Sequence, residues 1–427
     1  MIKRKDFSFS GLAVIFVFIF FSGCQDKIYE EYTLNVPVYM TYDELRSAVR
    51  SDLPKDLANP GKIYFKDDYI FINENLKGVH VIDNSDPSNP LKIAFINIPG
   101  NVDLAIRGSI LFADSYIDLV AIDISDPWNA SEVARIENVY NYTIPPWDDS
   151  YIADEVDETI GVVVSWEVRT IREEVKATNN YPIYPWGLFN ETAGYYRTTF
   201  SGSSGASYGV GGSLARFILY EDILYALREN RLKMFDVSLP EEMDFSGAVD
   251  IGWDLETLFL NENNLFIGTQ TGMFIYDLSD PCFPEKISYY DHIRSCDPVV
   301  VEGDLAYVTL RAGTICGGGL NRLDVVDISN LFQPTLIISY RMVEPYGLGI
   351  DGNILFICDG EDGLKIYDAS NPYWIQSRLL AHYTDLNPRD VIPVDGVLLM
   401  VGLDGFYQYD YSNPANIVYL SKIPVTP

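Results

Sequence analysis

Only three histidines (His80, His292 and His382) and five cysteines occur in 427 residues. No Cys-x-x-Cys pair and no histidine cluster exists, which excludes the common zinc sites. Gly-x-Ser-x-Gly, His-Glu-x-x-His and Walker-type loops are also missing, and with them the chemistries those motifs mark. The Ser-x-Asp-x-Gly box and the Trp-Asp dipeptide do not recur as repeats. Basic residues are short: 30 Lys and Arg face 61 Asp and Glu, for a formal charge of -31. Such a body repels phosphate backbones, so nucleic acid is excluded as a partner. Helical periodicity is almost absent, and beyond the N-terminus no apolar run is long enough to span a bilayer.

What is present favours a large β core. The chain is 48% hydrophobic and 14% aromatic, with 30 tyrosines. At the N-terminus, Lys3, Arg4 and Lys5 precede the apolar stretch "FSFSGLAVIFVFIFF" (7–21), which ends in "FSGC" (21–24). This resembles a bacterial lipoprotein signal, which implies that residues 1–23 are removed and Cys24 carries the lipid that anchors the chain to a membrane. An uncleaved anchor helix is the alternative, and either way the body leaves the cytoplasm. Loss of 1–23 makes the net charge still more negative, as suits solubility or a preference for cationic partners.

A repeat is found by its ending. "GVHVIDNSDP" (78–87), "LVAIDISDP" (119–127), "RLKMFDVSLP" (231–240), "GMFIYDLSDP" (272–281), "RLDVVDISNL" (322–331), "GLKIYDASNP" (363–372) and "GFYQYDYSNP" (405–414) all carry Asp-x-Ser. The aspartates are Asp83, Asp123, Asp236, Asp277, Asp327, Asp368 and Asp410, spaced by 40, 113, 41, 50, 41 and 42 residues. Proline stands four residues after each except Asp327, where Leu331 takes its place. A strand-end aspartate can accept from the amide two residues on, so these seven are expected to be structural turns. Each period reads as four short antiparallel strands with polar turns, the sequence form of a β-propeller blade.

The 113-residue gap is expected to hide a further blade at "YIADEVDETIGVVVSWEVRTI" (151–171) and an insertion at 172–213. That gives eight blades, or seven if the unit is absorbed by a neighbour. The C-terminal "NIVYLSKIPVTP" is expected to complete the blade begun at the N-terminus, closing the ring of residues 61–427. Residues 24–60 read as a tether, with Thr41 and Glu44 as the capping box of one short helix.

The strand ends "LVAID", "LDVVD" and "LKIYD", with "NPGKIYFKDDYIFIN" and "IDNSDPSNP", resemble the LVIVD-repeat β-propeller proteins, a family of cell-surface lipoproteins of Bacteroidetes-type bacteria. The resemblance covers about 60–425. It implies an outer-membrane lipoprotein of a Gram-negative envelope, surface-exposed or facing the periplasm. Most members of this family have no assigned activity.

Candidate sites follow from strand direction. Cys296 and Cys316 fall at the same end of neighbouring strands and form a disulfide candidate, whereas Cys282 is expected to be free and Cys358 buried. Asp103, Asp297 and Asp390, with Asp154 and Glu256 in similar places, approach the channel from the face opposite the Asp-x-Ser turns. Such carboxylates suit Ca²⁺ or a cationic ligand, or pairing with Arg294, Arg311 or Arg389. Tyr181, Tyr184, Trp186, Phe189, Tyr195 and Tyr196 make the insertion a binding-loop candidate for glycan or protein. No catalytic constellation is evident. The expected function is a monomeric, non-catalytic binding or scaffold module; the alternative is a propeller hydrolase or lyase using the channel acids, with or without a metal.

Overall fold

A computed structural model describes residues 29–142, 144–174, 210–252, 254–292, 298–313 and 320–426. The strands form because they are apolar on both sides. In "DLVAID", residues Asp118 to Ile122 are all buried, as in a strand covered on two faces by neighbouring sheets. This strand is third in blade two: Leu104–Arg107, Ile110–Ser115, Asp118–Asp123 and Ser131–Ile136. Only the outermost, Ser131–Ile136, is partly exposed along its length.

The same pattern recurs along the chain. Blade one is built on Pro60–Lys66, Tyr69–Glu74, Gly78–Asp83 and Leu91–Asn97, and blade three on Phe217–Tyr220, Ile223–Arg228, Arg231–Asp236 and Asp244–Asp250. Blade four comprises Leu255–Asn261, Asn264–Thr269, Gly272–Asp277 and Glu285–Asp291. Blade five comprises Val299–Glu302, Leu305–Leu310, Arg322–Asp327 and Thr335–Arg341. Blade six is Leu348–Asp351, Ile354–Cys358, Leu364–Asp368 and Leu379–Tyr383, and blade seven Pro388–Val394, Val397–Gly402, Gly405–Asp410 and Val418–Pro424. The first strands of successive blades pack against one another around an axis. The fold is an all-β propeller, as the repeat pattern predicts.

The described residues hold eight sheets, the number that an eight-unit reading requires, but they are unequal. Six have four strands. Blade one has six, because Val210–Gly211 adds on its axial side and Arg50–Asp52 on its outside. The eighth has three: Tyr29–Met40 lies between Ile152–Ala153, to which it is parallel, and Val162–Glu174, to which it is antiparallel. The 151–171 segment therefore supplies a sheet, but not a blade within the ring. Asp103 of blade two accepts the amides of Arg216 and Phe217 at the start of blade three, at 2.6 and 3.1 Å, which leaves no room for a unit between them. Among the described residues the ring counts seven blades, the alternative number, with the three-stranded sheet as an eighth sheet outside it.

The reason lies in residues 29–40, which read as tether. They form a strand paired from Tyr29 to Met40 with Val162–Glu174, and so hold that strand away from the ring. Leu45, Tyr116, Ile117 and Val162 form a small core that fastens this sheet to the tip of blade two. The helix Tyr42–Arg46 is present, and its capping box joins Thr41 and Glu44 as expected.

The seven aspartates are turns. Oδ1 of Asp83, Asp123, Asp236, Asp277, Asp327, Asp368 and Asp410 accepts the amide of the serine two residues on, at 2.8–3.0 Å in every case. The carbonyl four residues after the aspartate has a second use. Pro281, Leu331, Pro372 and Pro87 accept from Tyr225, Ser288, Tyr340 and Ser421 of the preceding blade, at 2.5–2.7 Å. Each of these bonds ties one blade to the next.

Closure corrects the expected strand exchange. Val418–Pro424 pairs with Gly405–Asp410 of its own blade, and blade one is complete without it. The seam is held instead by two side-chain bonds, Ser421 to the Pro87 carbonyl and Gln408 Nε2 to Asn84 Oδ1 at 2.7 Å, and by a short backbone bridge between Leu57 and Val425. Ile392, Leu399, Val401, Phe406 and Ile423 of blade seven share one apolar cluster with blades one to three.

Candidate functional site

The axis is where a propeller usually places its chemistry, and here the chain itself occupies it. Val210 and Gly211 pair with Phe65 and Tyr64 of blade one. Ser213 Oγ then donates to Asp390 Oδ1 of blade seven at 3.0 Å and accepts the Leu348 amide of blade six at 2.9 Å. The Ala215 carbonyl accepts from Leu258 of blade four at 2.7 Å, and Arg216 Nε reaches the Glu256 carbonyl at 3.1 Å. Within seven residues this segment touches blades one, two, four, six and seven. Gly212, Ser213, Leu214 and Ala215 are all buried.

Two of the candidate acids are consumed by this stopper. Asp103 is buried, forms an ion pair with the fully buried Lys62, and accepts the amides of Leu104, Arg216 and Phe217. Burial pushes the Lys62 ammonium down to about 8, against the pull of Asp103. Asp390 is also buried. Burial pushes its carboxyl up to about 8, although Ser213, the Val391 amide and the Lys62 charge oppose this. Asp390 is therefore mostly protonated at neutral pH in this arrangement, and a cation binding there would have to displace that proton.

The other candidates among the described residues do not complete a ring of carboxylates. Glu256 lies at the start of blade four, where its backbone carbonyl accepts from Arg216 Nε. Asp154 is exposed on the three-stranded sheet, with its Oδ1 on the Glu155 amide. It is not a channel residue, because its segment left the ring. Among the described residues no group of three or more His, Cys, Asp and Glu converges as a metal site would. Arg311 and Arg389 both stack over the Tyr346 ring, at 4.3 and 3.8 Å from its centre. Cys24, Arg294, Cys296, Asp297, Cys316, Tyr181, Tyr184, Trp186, Phe189, Tyr195 and Tyr196 lie outside the described residues. Cys282 is exposed and free, Cys358 buried and free.

Three buried groups at this face carry no repeat signal in the sequence. Asp114 Oδ1 accepts the amides of Val102 and Asp103 and the Asn101 side chain, at 2.8–3.0 Å, while Arg228 pairs with its carboxylate. Asp359 does the same service in blade six for the amides of Val343 and Glu344 and for Lys365. These acids end the second strand of their blades and fold the loop entering the first. Asp114 is the fourth residue of "LFAD" and Asp359 the fifth of "LFICD", so the two are offset by one in the repeat and no shared sequence position marks them. Nothing in sequence marks Lys62.

A cavity of about 480 Å³ opens beside blade one, lined by Met40, Lys55, Glu74, His80, Phe95 and Tyr116 among others. Inside it His80 Nε2 meets Glu74 Oε2 at 3.1 Å. Glu74 is already engaged by the Ala58 and Asn59 amides, at 3.1 and 2.7 Å. Burial would raise its carboxyl, but His80 and the two amides outweigh this and hold it below the usual range. The pair thus pins the 58–59 loop rather than serving as a general base. His382 bonds the Asp362 carbonyl at 2.5 Å, and His292 is buried.

The architecture and repeats define a β-propeller. More particularly, the chain carries LVIVD repeats: the family model described as LVIVD repeat matches residues 61–94, 103–137, 293–342 and 347–373. No curated protein sequence matches the chain. Similar solved structures include Saccharomyces cerevisiae Sqt1 (7% identity, 87% of this chain and 88% of that one, TM-score 0.49). Others are the computationally designed Ika8 protein (8%, 87% and 92%, 0.48) and Kluyveromyces lactis Hsv2 (10%, 84% and 97%, 0.46). At this distance the likenesses carry no functional argument. No helix among the described residues is long and apolar enough to cross a membrane.

Proposed function

We propose that this chain is a lipoprotein of the outer membrane, held by a lipid on Cys24, whose propeller serves as a non-catalytic binding or scaffold module for a protein or glycan partner. One observation carries the non-catalytic reading. Among the described residues, Asp103 is engaged by Lys62 and the 216–217 amides, and Asp390 accepts from Ser213, both buried beneath the 210–216 segment rather than open to a substrate at the axis. The "FSGC" ending supports the anchor, and the strong acidity supports an exported, soluble body.

Two measurements test this. Palmitate labelling of cells is expected to mark the wild-type chain and not Cys24→Ala, which should also leave the membrane fraction. Cross-linking on intact cells is expected to yield the same partner adduct from the wild type and from Asp390→Asn. Loss of the adduct in that variant, or no adduct with either chain, would overturn the scaffold reading.

A further inference from the structure

The Asp-x-Ser turns hold a second turn that the sequence pattern conceals. Three residues after the repeat aspartate stands another Asp or Asn in six blades, and its Oδ1 accepts the amide two residues on. Asp280 accepts from Cys282 at 3.1 Å, Asn330 from Phe332 at 3.2 Å and Asn371 from Tyr373 at 3.0 Å. In blades four, five and six these turns lift aromatic rings into solvent. Phe283, Phe332, Tyr373 and Trp374 are 76%, 77%, 60% and 58% exposed. The three blades are consecutive, and the turns all lie on the face opposite the stopper.

These rings are held out rather than merely left out. Each supporting turn is latched to the preceding blade, through Tyr225 to Pro281, Ser288 to Leu331 and Tyr340 to Pro372. Backbone bonds from Phe283 to Asp280, Gln333 to Asn330 and Trp374 to Asn371, at 2.9–3.1 Å, close the same turns. Little conformational entropy remains to be lost on binding, as in a preorganised paratope.

The charges around the rings are predominantly negative. The bonds of Asp277 and Asp327 fall on Oδ1, and serine groups hold both carboxyls below their usual range, so both are ionised at neutral pH. Asp280 and Glu285 are exposed beside them. In the hairpins of blades five and six, on the same face, Glu302 and Asp351 add two further acids; burial chiefly, and then the charge of Asp351, raise the Glu302 carboxyl. Of the basic groups here, Arg378 is paired with Asp368 and Lys286 sits over the Phe274 ring at 4.4 Å. Bilayers and polymers bearing phosphate are repelled. Exposed π faces set among carboxylates are complementary to guanidinium groups, which can stack on the ring and bond the acid together.

We infer that the Asp-x-Ser face of blades four to six is a docking surface for an arginine-rich, cationic polypeptide segment. Phe283, Phe332 and Trp374 are the stacking platforms, and Asp277, Asp280 and Asp327 the counter-charges. The inference rests on the binding-module reading and names its surface and its partner's chemistry.

Charge-neutral variants test it, because they separate this surface from the general acidity of the chain. A fluorescent arginine-rich peptide is titrated into the full mature chain at low and physiological salt, beside a glutamine-substituted control. Saturable binding of the arginine peptide alone is expected. Phe332→Leu with Trp374→Leu, which keeps apolar bulk but removes the π faces, is expected to weaken it about tenfold, a change of about 1.4 kcal/mol. Tyr151→Leu on the three-stranded sheet should change nothing. Unaltered affinity in the double variant, its melting profile intact, would reduce the binding to bulk charge and overturn the proposal. So would retardation of the chain in gels containing neutral polysaccharide if the peptide fails to bind. A partner adduct on cells, insensitive to the double variant, would leave the scaffold reading standing while this one falls.

Discussion

Asp390 shows how one residue can be placed correctly at the axis while its partner there stays hidden in the sequence. Its spacing before a hairpin glycine places it at the axis, and the structure puts it there. What it meets there, the Ser213 hydroxyl, comes from a segment 177 positions away. The pH consequence follows from its raised value of about 8. In the unfolded chain this carboxyl ionises near pH 4, so between about pH 4 and 8 the folded state retains a proton that the unfolded state releases. Its contribution to stability is complete below that window and is lost as pH rises through it. Asp390→Asn keeps an acceptor for Ser213 and cannot ionise. Its melting temperature is expected to fall less than that of the wild type between pH 4.5 and 8, with the variant more stable at pH 8; parallel melting curves would contradict this. The turn aspartates work in the opposite sense. Asp236 and Asp277 are held below the usual range by their serine partners, so their contribution is present above about pH 4 and fades as they protonate.

At the scale of the element, two details decide how the strands turn. In all seven blades the third and fourth strands pair with a register shift. Such a bulge increases the twist that lets wedge-shaped sheets fit around an axis. The hairpins between first and second strands need a left-handed residue. Gly303 supplies it at φ 56° and Glu262 at φ 55°. A Cβ on Gly303 would meet nothing within 4 Å, so only the backbone is at stake there. Gly303→Ala is expected to cost about 1 kcal/mol in denaturant unfolding, and Glu262→Gly to gain roughly half that. The inter-blade latch belongs to the same scale. Tyr340→Phe removes its bond to the Pro372 carbonyl and is expected to cost about 1 kcal/mol. An unchanged denaturation midpoint would show that the latch adds nothing.

For the whole molecule, the seam is the point of weakness. A propeller closed by strand exchange zips its first and last blades together with a full ladder of backbone bonds. This ring relies instead on Ser421, Gln408, a single bridge at Val425 and the apolar contact between blades seven and one. Removing residues 418–427 takes the outer strand of blade seven and most of that seam together. Unfolding is expected to shift to markedly lower temperature as one cooperative transition when followed by far-ultraviolet circular dichroism. Ser421→Ala alone should lower it slightly. A truncated chain that melts at the wild-type temperature would show that closure is carried by the apolar contact alone.

The repeat, the strand class, the turn aspartates and the capping box at Thr41 and Glu44 were all legible in the residues themselves. Each depends on neighbours close in sequence: a carboxylate and the amide two residues on, an alternation of apolar side chains, a hydroxyl and a glutamate three apart. The stopper, the Lys62–Asp103 pair, the three-stranded sheet and the unzipped seam were not legible. Each joins segments separated by tens to hundreds of residues, and which of several apolar strands pairs with which is chosen by the packing of the whole ring. The 29–40 segment shows the limit most plainly. Its composition allows a strand, but only the folded ring offers it Val162–Glu174 as a partner and so fixes the number of blades.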